Sequence, residues 1–368
     1  MARAKQTRFA IGEAEVRPGS QRLVNLPVGS FTNNMQVDLG VVVSHGRDIG
    51  PTLLVTGCLH GDEINGAEII RRLLRLRALD DLKGTLLAVP LANVPAFLNR
   101  SRYLPDRRDL NRLFPGSATG SLGARLAKVI GDELVPRCDI VIDLHTGAVN
   151  RANLPQLRVT EGDERGLELA NVFAPPVTIL APMREGSFRG FCRTLGKPML
   201  LFESGEALRL DASSIRFGVQ GILAVMREIG MLPRRRKSRR RAPKPVVCRK
   251  SWWERAPTGG LFTPHVPLGR TIEKDEILGF VADPFGLDET PIHASRQGIL
   301  IGRTNEGVAD EGDALFHIAS TGNLEKARDR IAESAQAFPT QAAAYADIDD
   351  DHPVPYHPFQ EEVEDPES

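Results

Sequence analysis

Residues 51–63 read Pro-Thr-Leu-Leu-Val-Thr-Gly-Cys-Leu-His-Gly-Asp-Glu. The run 52–57 is short and apolar, with a β-branched Val55 and a closing glycine, the pattern of a strand buried on both faces. A polar loop, 58–63, follows it. Residues 64–79 then place Ile64, Ala67, Ile70, Leu73 and Leu74 at helical spacing, with Arg71, Arg72 and Arg75 beside that stripe. Residues 82–89 are a second strand, so 52–89 is expected to form one strand–loop–helix–strand unit of an α/β sheet.

The same alternation continues outward. Residues 122–134, 166–173 and 213–231 have helical periodicity, while 139–144 (DIVIDL) and 198–203 (PMLLFE) are short strands. The first 50 residues read as all-β, with strand pieces at 22–26, 35–37 and 39–44. This gives an α/β domain over 1–232. A basic linker is expected over 233–248, containing the run RRRKSRRR at 234–241. A small all-β domain over 249–319 has strands at 260–262, 277–281, 298–304 and 314–318, punctuated by glycines. Over 320–368 a helix at 324–338 leads into an acidic tail, with nine acidic residues from Asp347 onward, that reads as disordered.

Composition excludes several classes. The 368 residues carry 47 basic and 47 acidic side chains, which argues against a uniformly basic nucleic-acid binder. The arginine run remains either a solvated linker or a patch for acidic macromolecules. Four cysteines, none in a CxxC pair, argue against a disulfide scaffold or a zinc knuckle. No stretch reaches the roughly 18 apolar residues of a membrane span, and the basic first residues lack the apolar run of a secretory signal. The expectation is a cytoplasmic protein with reduced thiols and no membrane partner.

Chemistry concentrates at the strand ends. His60 and Glu63, three residues apart after the first strand, can face one centre, and imidazole and carboxylate both suit Zn²⁺. Gly61 keeps that turn compact. Asp62 can orient His60 or cap the following helix. His145 ends the DIVIDL strand, as α/β sheets deliver ligands into a crevice at strand ends. Two imidazoles and one carboxylate would leave a coordination position for water, whose pKa the ion would lower. Glu203, at the end of PMLLFE, can act as general base and then as acid toward a leaving amine. For each of these the competing reading is structural: a polar loop for His60 and Glu63, a core histidine for His145, a salt-bridged carboxylate for Glu203. Asn111 and Arg112 can clamp a substrate carboxylate, or simply build a turn. Arg102, Arg107 and Arg108 lie just upstream, and any of them can stabilise an oxyanion.

The motifs GCLHGDEING, DLNRLFPG, DLHTG and LFESG, in that order, resemble the succinylglutamate desuccinylase/aspartoacylase family of the zinc carboxypeptidase-like superfamily. The resemblance spans roughly residues 20–319. It implies a zinc carboxypeptidase-like mixed sheet flanked by helices, and a second, smaller domain similar to a lipoyl/biotinyl-type sandwich without an attachment lysine. It implies His60, Glu63 and His145 as Zn²⁺ ligands, Glu203 as the catalytic glutamate, and Asn111 with Arg112 as the carboxylate-binding pair. Arg102-Tyr103 looks like the family's Arg-Tyr pair, with Arg107 and Arg108 competing for that role. The activity implied is zinc-dependent hydrolysis of the amide bond of a small N-acyl amino acid, in a chain that can form a homo-oligomer. The alternatives are a carboxypeptidase-like hydrolase of peptide or γ-glutamyl tails, and a non-enzymatic polyanion-binding protein.

Overall fold

The computed structural model describes residues 6–234 and 243–337. Most of the arginine run and the whole acidic tail therefore lie outside the described residues.

The N-terminal region is all β. A small antiparallel pair, β1 (Phe9–Ile11) and β2 (Ala14–Val16), precedes the long hairpin of β3 (Ser20–Ser30) and β4 (Gln36–His45). The pieces read at 35–37 and 39–44 are one strand, β4. Next come β5 (Asp48–Gly57), α1 (Asn65–Leu73) and β6 (Lys83–Val89), the unit expected from the opening stretch. Helix α1 stops earlier than its apolar spacing suggests. Leu76 turns extended, and a 3-10 turn at Arg77–Asp81 leads into β6. Leu74, Leu76 and Leu79 still pack on the core, which is why their spacing mimicked a longer helix.

The chain continues through α2 (Val94–Leu98), α3 (Leu122–Val129), β7 (Ile140–Gly147), β8 (Arg151–Thr160), α4 (Glu164–Phe173), β9 (Val177–Ala181), α5 (Phe188–Thr194), β10 (Met199–Glu206) and α6 (Ala212–Glu228). Strands β6, β5, β7 and β10 run parallel in that order, and β8 pairs antiparallel with β10. Successive residues of β5 serve opposite layers. Leu53 and Val55 pack with α1, α4 and α6 through Ile69, Leu73, Leu169 and Ile222. Leu54 packs on the other side with Leu126, Ile130 and Phe188. A strand covered on both faces has no polar side to spare, so it reads as a continuous apolar run.

The C-terminal part comprises β11 (Val246–Cys248), β12 (Ser251–Arg255), β13 (Gly260–Pro264), β14 (Thr271–Ile272), β15 (Ile277–Ala282), β16 (Glu289–His293), β17 (Gly298–Thr304), β18 (Val308–Ala309), β19 (Ala314–Ala319) and α7 (Leu324–Ala337). Four of these strands form a separate sheet, ordered β16-β15-β13-β18. It packs through Phe262, Leu278 and Val281 against Leu300, Phe316 and Ile318. Those three belong to β17 and β19, which extend the main sheet. Among the described residues that sheet has 13 strands: ten in the path β12-β19-β17-β8-β10-β7-β5-β6-β4-β3, with β9 beside β8, β11 beside β9 and β14 beside β17. The α/β half and the C-terminal β lobe thus share one sheet, joined where β17 pairs with β8. No helix among the described residues is long and apolar enough to cross a membrane.

Candidate active site

The parallel strands β5, β7 and β10 present their carboxyl ends on one edge of the sheet, and the loop after β5 lies there. Two features hold that loop. Ala92 and Asn93 donate backbone N–H groups to the Gly57 and Cys58 carbonyls, and the Asn93 amide donates to the Leu59 carbonyl. Gly61 lies so close to α2 that a β-carbon there would stand 2.0 Å from the Ala96 carbonyl carbon. Backbone contact at that range leaves room for glycine alone. Asp62 neither orients His60 nor caps α1: one of its carboxylate oxygens is buried without a partner, and the Ile64 N-cap of α1 has no side-chain bond.

This loop brings His60 and Glu63 against His145, which sits within the last turn of pleat in β7. His60 Nδ1 lies 2.9 Å from Glu63 Oε1, and His145 Nδ1 lies 2.7 Å from Glu63 Oε2. One ligand atom from each of the three residues falls within 4.8 Å of the others, and all three side chains are buried. The opposite nitrogen of each ring faces an aspartate. His60 Nε2 is 3.1 Å from Asp109 Oδ1, and His145 Nε2 is 2.7 Å from Asp143 Oδ2. Asp143 in turn accepts a 2.6 Å bond from the Thr56 hydroxyl. A histidine with a carboxylate behind it has its tautomer and ring orientation set, as metal-ligating histidines do.

The electrostatics agree. Burial works to raise the Glu63 pKa, but His60 and His145 outweigh it and hold the carboxyl well below its usual range. Burial likewise works against a protonated His145, yet Asp143 and Glu63 hold the imidazole well above its ordinary value. His60 is raised in the same way by Glu63 and Asp109. Three acidic groups around two imidazoles form a buried site that favours positive charge, supplied by protons or by a cation. Donor types, closeness and the aspartates behind the rings all fit a divalent ion such as zinc.

Arg102 is the arginine that reaches this cluster. Its Nη1 donates to Glu63 Oε1 and its Nη2 to Asp109 Oδ2, each at 3.1 Å. Arg108 pairs instead with Asp106 at 3.6 Å, and Arg107 is exposed. Asn111 and Arg112 lie on a 3-10 turn, Leu110–Arg112, capped by the Asp109 side chain. The Asn111 side-chain carbonyl accepts from the Phe188 N–H at 2.9 Å, which fastens the turn to α5. Arg112 is exposed. Partial desolvation, with Arg184 and Arg102 nearby, pushes its guanidinium down despite Asp109. A cation already crowded by cations is an anion-seeking corner.

Glu203 is directly opposite His145 in the parallel β10–β7 register. Its carboxylate is held at both oxygens from β8: Arg158 Nε donates to Oε1 at 2.8 Å and Asn153 Nδ2 to Oε2 at 2.6 Å. The next residues, Ser204 and Gly205, shape the strand exit. Gly205 has φ +77°, and a β-carbon there would lie 2.7 Å from the Asn65 amide, which donates to the Ser204 carbonyl. A surface cleft of about 2860 Å³ lies elsewhere, between the N-terminal strands and α1, and none of these site residues lines it.

The structure places His60, Glu63, His145 and Arg102 in one cluster and Glu203 on the strand beside His145, while Asn111 and Arg112 lie on the turn after Asp109. Asp143 was not singled out in the sequence, although it lies two residues before His145 on one strand and such residues share a face. Asp109 sat unassigned within the DLNR motif. Asn153 and Arg158 carried no signal, because β8 contains Pro155 and alternates poorly.

Comparison with known proteins follows from this geometry. Residues 49–229 match the succinylglutamate desuccinylase/aspartoacylase catalytic domain. The chain is 30% identical over 294 residues, 76% of its length and 84% of the relative's, to N-alpha-acetyl-L-2,4-diaminobutyric acid deacetylase of Halomonas elongata. The chain belongs to the succinylglutamate desuccinylase/aspartoacylase family. Solved structures in this succinylglutamate desuccinylase/aspartoacylase group have the same fold. One is a succinylglutamate desuccinylase/aspartoacylase from Rhodobacter sphaeroides, with TM-score 0.74 and 27% identity, over 83% of this chain and 97% of that one. Another is the product-bound ectoine utilization protein EutE (DoeB) from Ruegeria pomeroyi, with TM-score 0.73 and 25% identity, over 83% and 96%.

Proposed function

We propose that this chain is a zinc-dependent deacylase that hydrolyses the amide bond of a small N-acyl amino acid. The observation that carries the reading is the buried His60–Glu63–His145 triangle with Glu203 on the neighbouring strand. The relative from Halomonas elongata makes N-acetyl-2,4-diaminobutyrate the first substrate to test.

His60, Glu63 and His145 would hold the ion. When bound, zinc supplies Lewis acidity toward a carbonyl and lowers the pKa of a water. The chain's own groups do the rest. Arg112, with the Asn111 amide, takes the substrate carboxylate and sets the distance from that anchor to the scissile amide. Glu203 accepts a proton from the attacking water and returns it to the leaving nitrogen. Arg102, oriented by Glu63 and Asp109, offers positive charge to the developing oxyanion. The oxyanion donor comes from the loop after α2 and the base from β10.

The test is amine release by purified, zinc-loaded protein from a panel of N-acetyl and N-succinyl amino acids and short peptides. The reading expects kcat/KM on at least one acyl amino acid to exceed that on every peptide. Cleavage of peptides alone would favour a carboxypeptidase-like enzyme. Inertness toward both, with tight polyanion binding, would favour a binding protein.

A further inference from the structure

One row of residues crosses the shared sheet from the C-terminal lobe to Glu203. Trp253 on β12 faces His317 on β19, His317 faces Gly302 on β17, and Gly302 faces Asn153 on β8. Past a bulge in the β8–β10 pairing, Glu203 faces His145. His317 stacks on Trp253 at 4.6 Å with an interplanar angle of 5°, and its Nε2 is 2.9 Å from the Ser251 hydroxyl.

Gly302 is the informative member. It is absent from the residues of positive φ, so backbone conformation does not require a glycine there. Space does. A β-carbon on Gly302 would stand 2.8 Å from Asn153 Oδ1 and 3.2 Å from His317 Cβ. A glycine inside a strand marks such a close approach. The Asn153 amide lies over Gly302 and donates from its other end to Glu203 Oε2 at 2.6 Å.

We propose that Asn153 and Gly302 are positioning residues for Glu203: Gly302, from the C-terminal lobe, clears the space in which Asn153 fixes the rotation of the Glu203 carboxylate. This rests on Glu203 as the proton-transfer group. The terminal torsion of a glutamate is broad, so one donor, Arg158, leaves the carboxylate free to swivel, whereas two donors on two oxygens fix its plane. Misplacing a reacting group by about 1 Å can cost on the order of 10²-fold in rate. The lobe thereby contributes to catalysis without touching substrate.

A double-mutant cycle tests this, with kcat, KM and zinc content measured on the best substrate of the panel. Asn153→Ala is expected to lower kcat by about 10- to 100-fold with KM and zinc content near wild type. Gly302→Ala is expected to do the same, because the atom its methyl displaces is the far end of the Asn153 side chain. In the Asn153→Ala background the 2.8 Å contact is gone and only the 3.2 Å approach to His317 Cβ remains, so Gly302→Ala should lower kcat far less there than in the wild-type background. If Gly302→Ala folds poorly alone, recovery of the fold in that background reads the same coupling. Wild-type kcat in Asn153→Ala, or a Gly302→Ala cost that persists undiminished beside it, would overturn the proposal. Glu203→Gln is measured alongside: full turnover there would defeat the reading of Glu203 itself, whatever the cycle shows.

Discussion

At the residue scale, function rests on a few buried charges whose cost is met by one another. Glu63 is 1% exposed and would be expensive to hold ionised alone. His60, His145, Arg102 and the Thr146 N–H all face it. Two predictions belong here. Glu203→Gln should keep its zinc and lose roughly 10²–10⁴ in kcat, the usual worth of a positioned base; steady-state kinetics beside metal analysis checks both halves. Asp143→Asn should weaken zinc binding by about 10- to 100-fold, since it removes the carboxylate behind His145. Competition with a chelator reads that affinity, and an unchanged value would mean that Asp143 serves only Thr56. The three members of the candidate metal cluster were legible in the sequence because each lies at or just beyond the end of an apolar strand. Their supports were less so. Asp143 hides inside an apolar strand, and Asp109 looks like one more member of a charged turn.

At the element scale, strands buried on both faces announced themselves, while polar or proline-containing strands did not. β5, β7 and β10 were readable because their central stretches, 53–55, 140–142 and 199–202, are buried apolar runs. β8 was not, because it spends its side chains on other work: Asn153 and Arg158 on Glu203, and Gln156 on the Ile301 carbonyl. Helix lengths misled where apolar spacing outlasted the helix. Beyond α1 the leucines continue into a 3-10 turn, and beyond α3 a π turn at Ile130–Leu134 carries the buried face onward. The loop after β5 gives the sharpest element-scale prediction. In Gly61→Ala the methyl would meet the α2 backbone at 2.0 Å, so α2 or the ligand loop must move. Overpacking of this kind costs about 1–3 kcal/mol, and here the displaced loop also carries His60 and Glu63. Thermal unfolding and zinc affinity should fall together. A stable variant that binds zinc as wild type does would show that the loop has slack the contact denies.

At the scale of the whole molecule, the C-terminal lobe is part of the sheet that holds the site. Its strands β13, β15, β17 and β19 were readable from glycine-bounded apolar runs, whereas β11, β12, β14, β16 and β18 were not, nor was the pairing of β17 with β8, because strand partners far apart in sequence leave no local trace. The shared row also carries a titratable group. Burial, with Arg158 and Arg151 nearby, pushes the His317 imidazole down to about 3. Unfolded, it takes its proton near its ordinary value of 6.5. Below about pH 6.5 the unfolded chain therefore binds a proton that the folded chain refuses. Stability from this group is complete above that pH and is lost as pH falls toward about 3, at up to about 1.4 kcal/mol per unit. His317→Gln should flatten the acid limb of a plot of unfolding free energy against pH, and an unchanged slope would place the acid lability elsewhere.

The most direct measurement is the zinc stoichiometry of metal-stripped protein titrated with Zn²⁺, run in parallel on wild type and His145→Ala. One tightly bound ion per chain, lost or greatly weakened in the variant while amine release is lost with it, is the expected result. Equal tight binding in both proteins, or turnover by the stripped enzyme that zinc does not raise, would contradict a centre built from His60, Glu63 and His145.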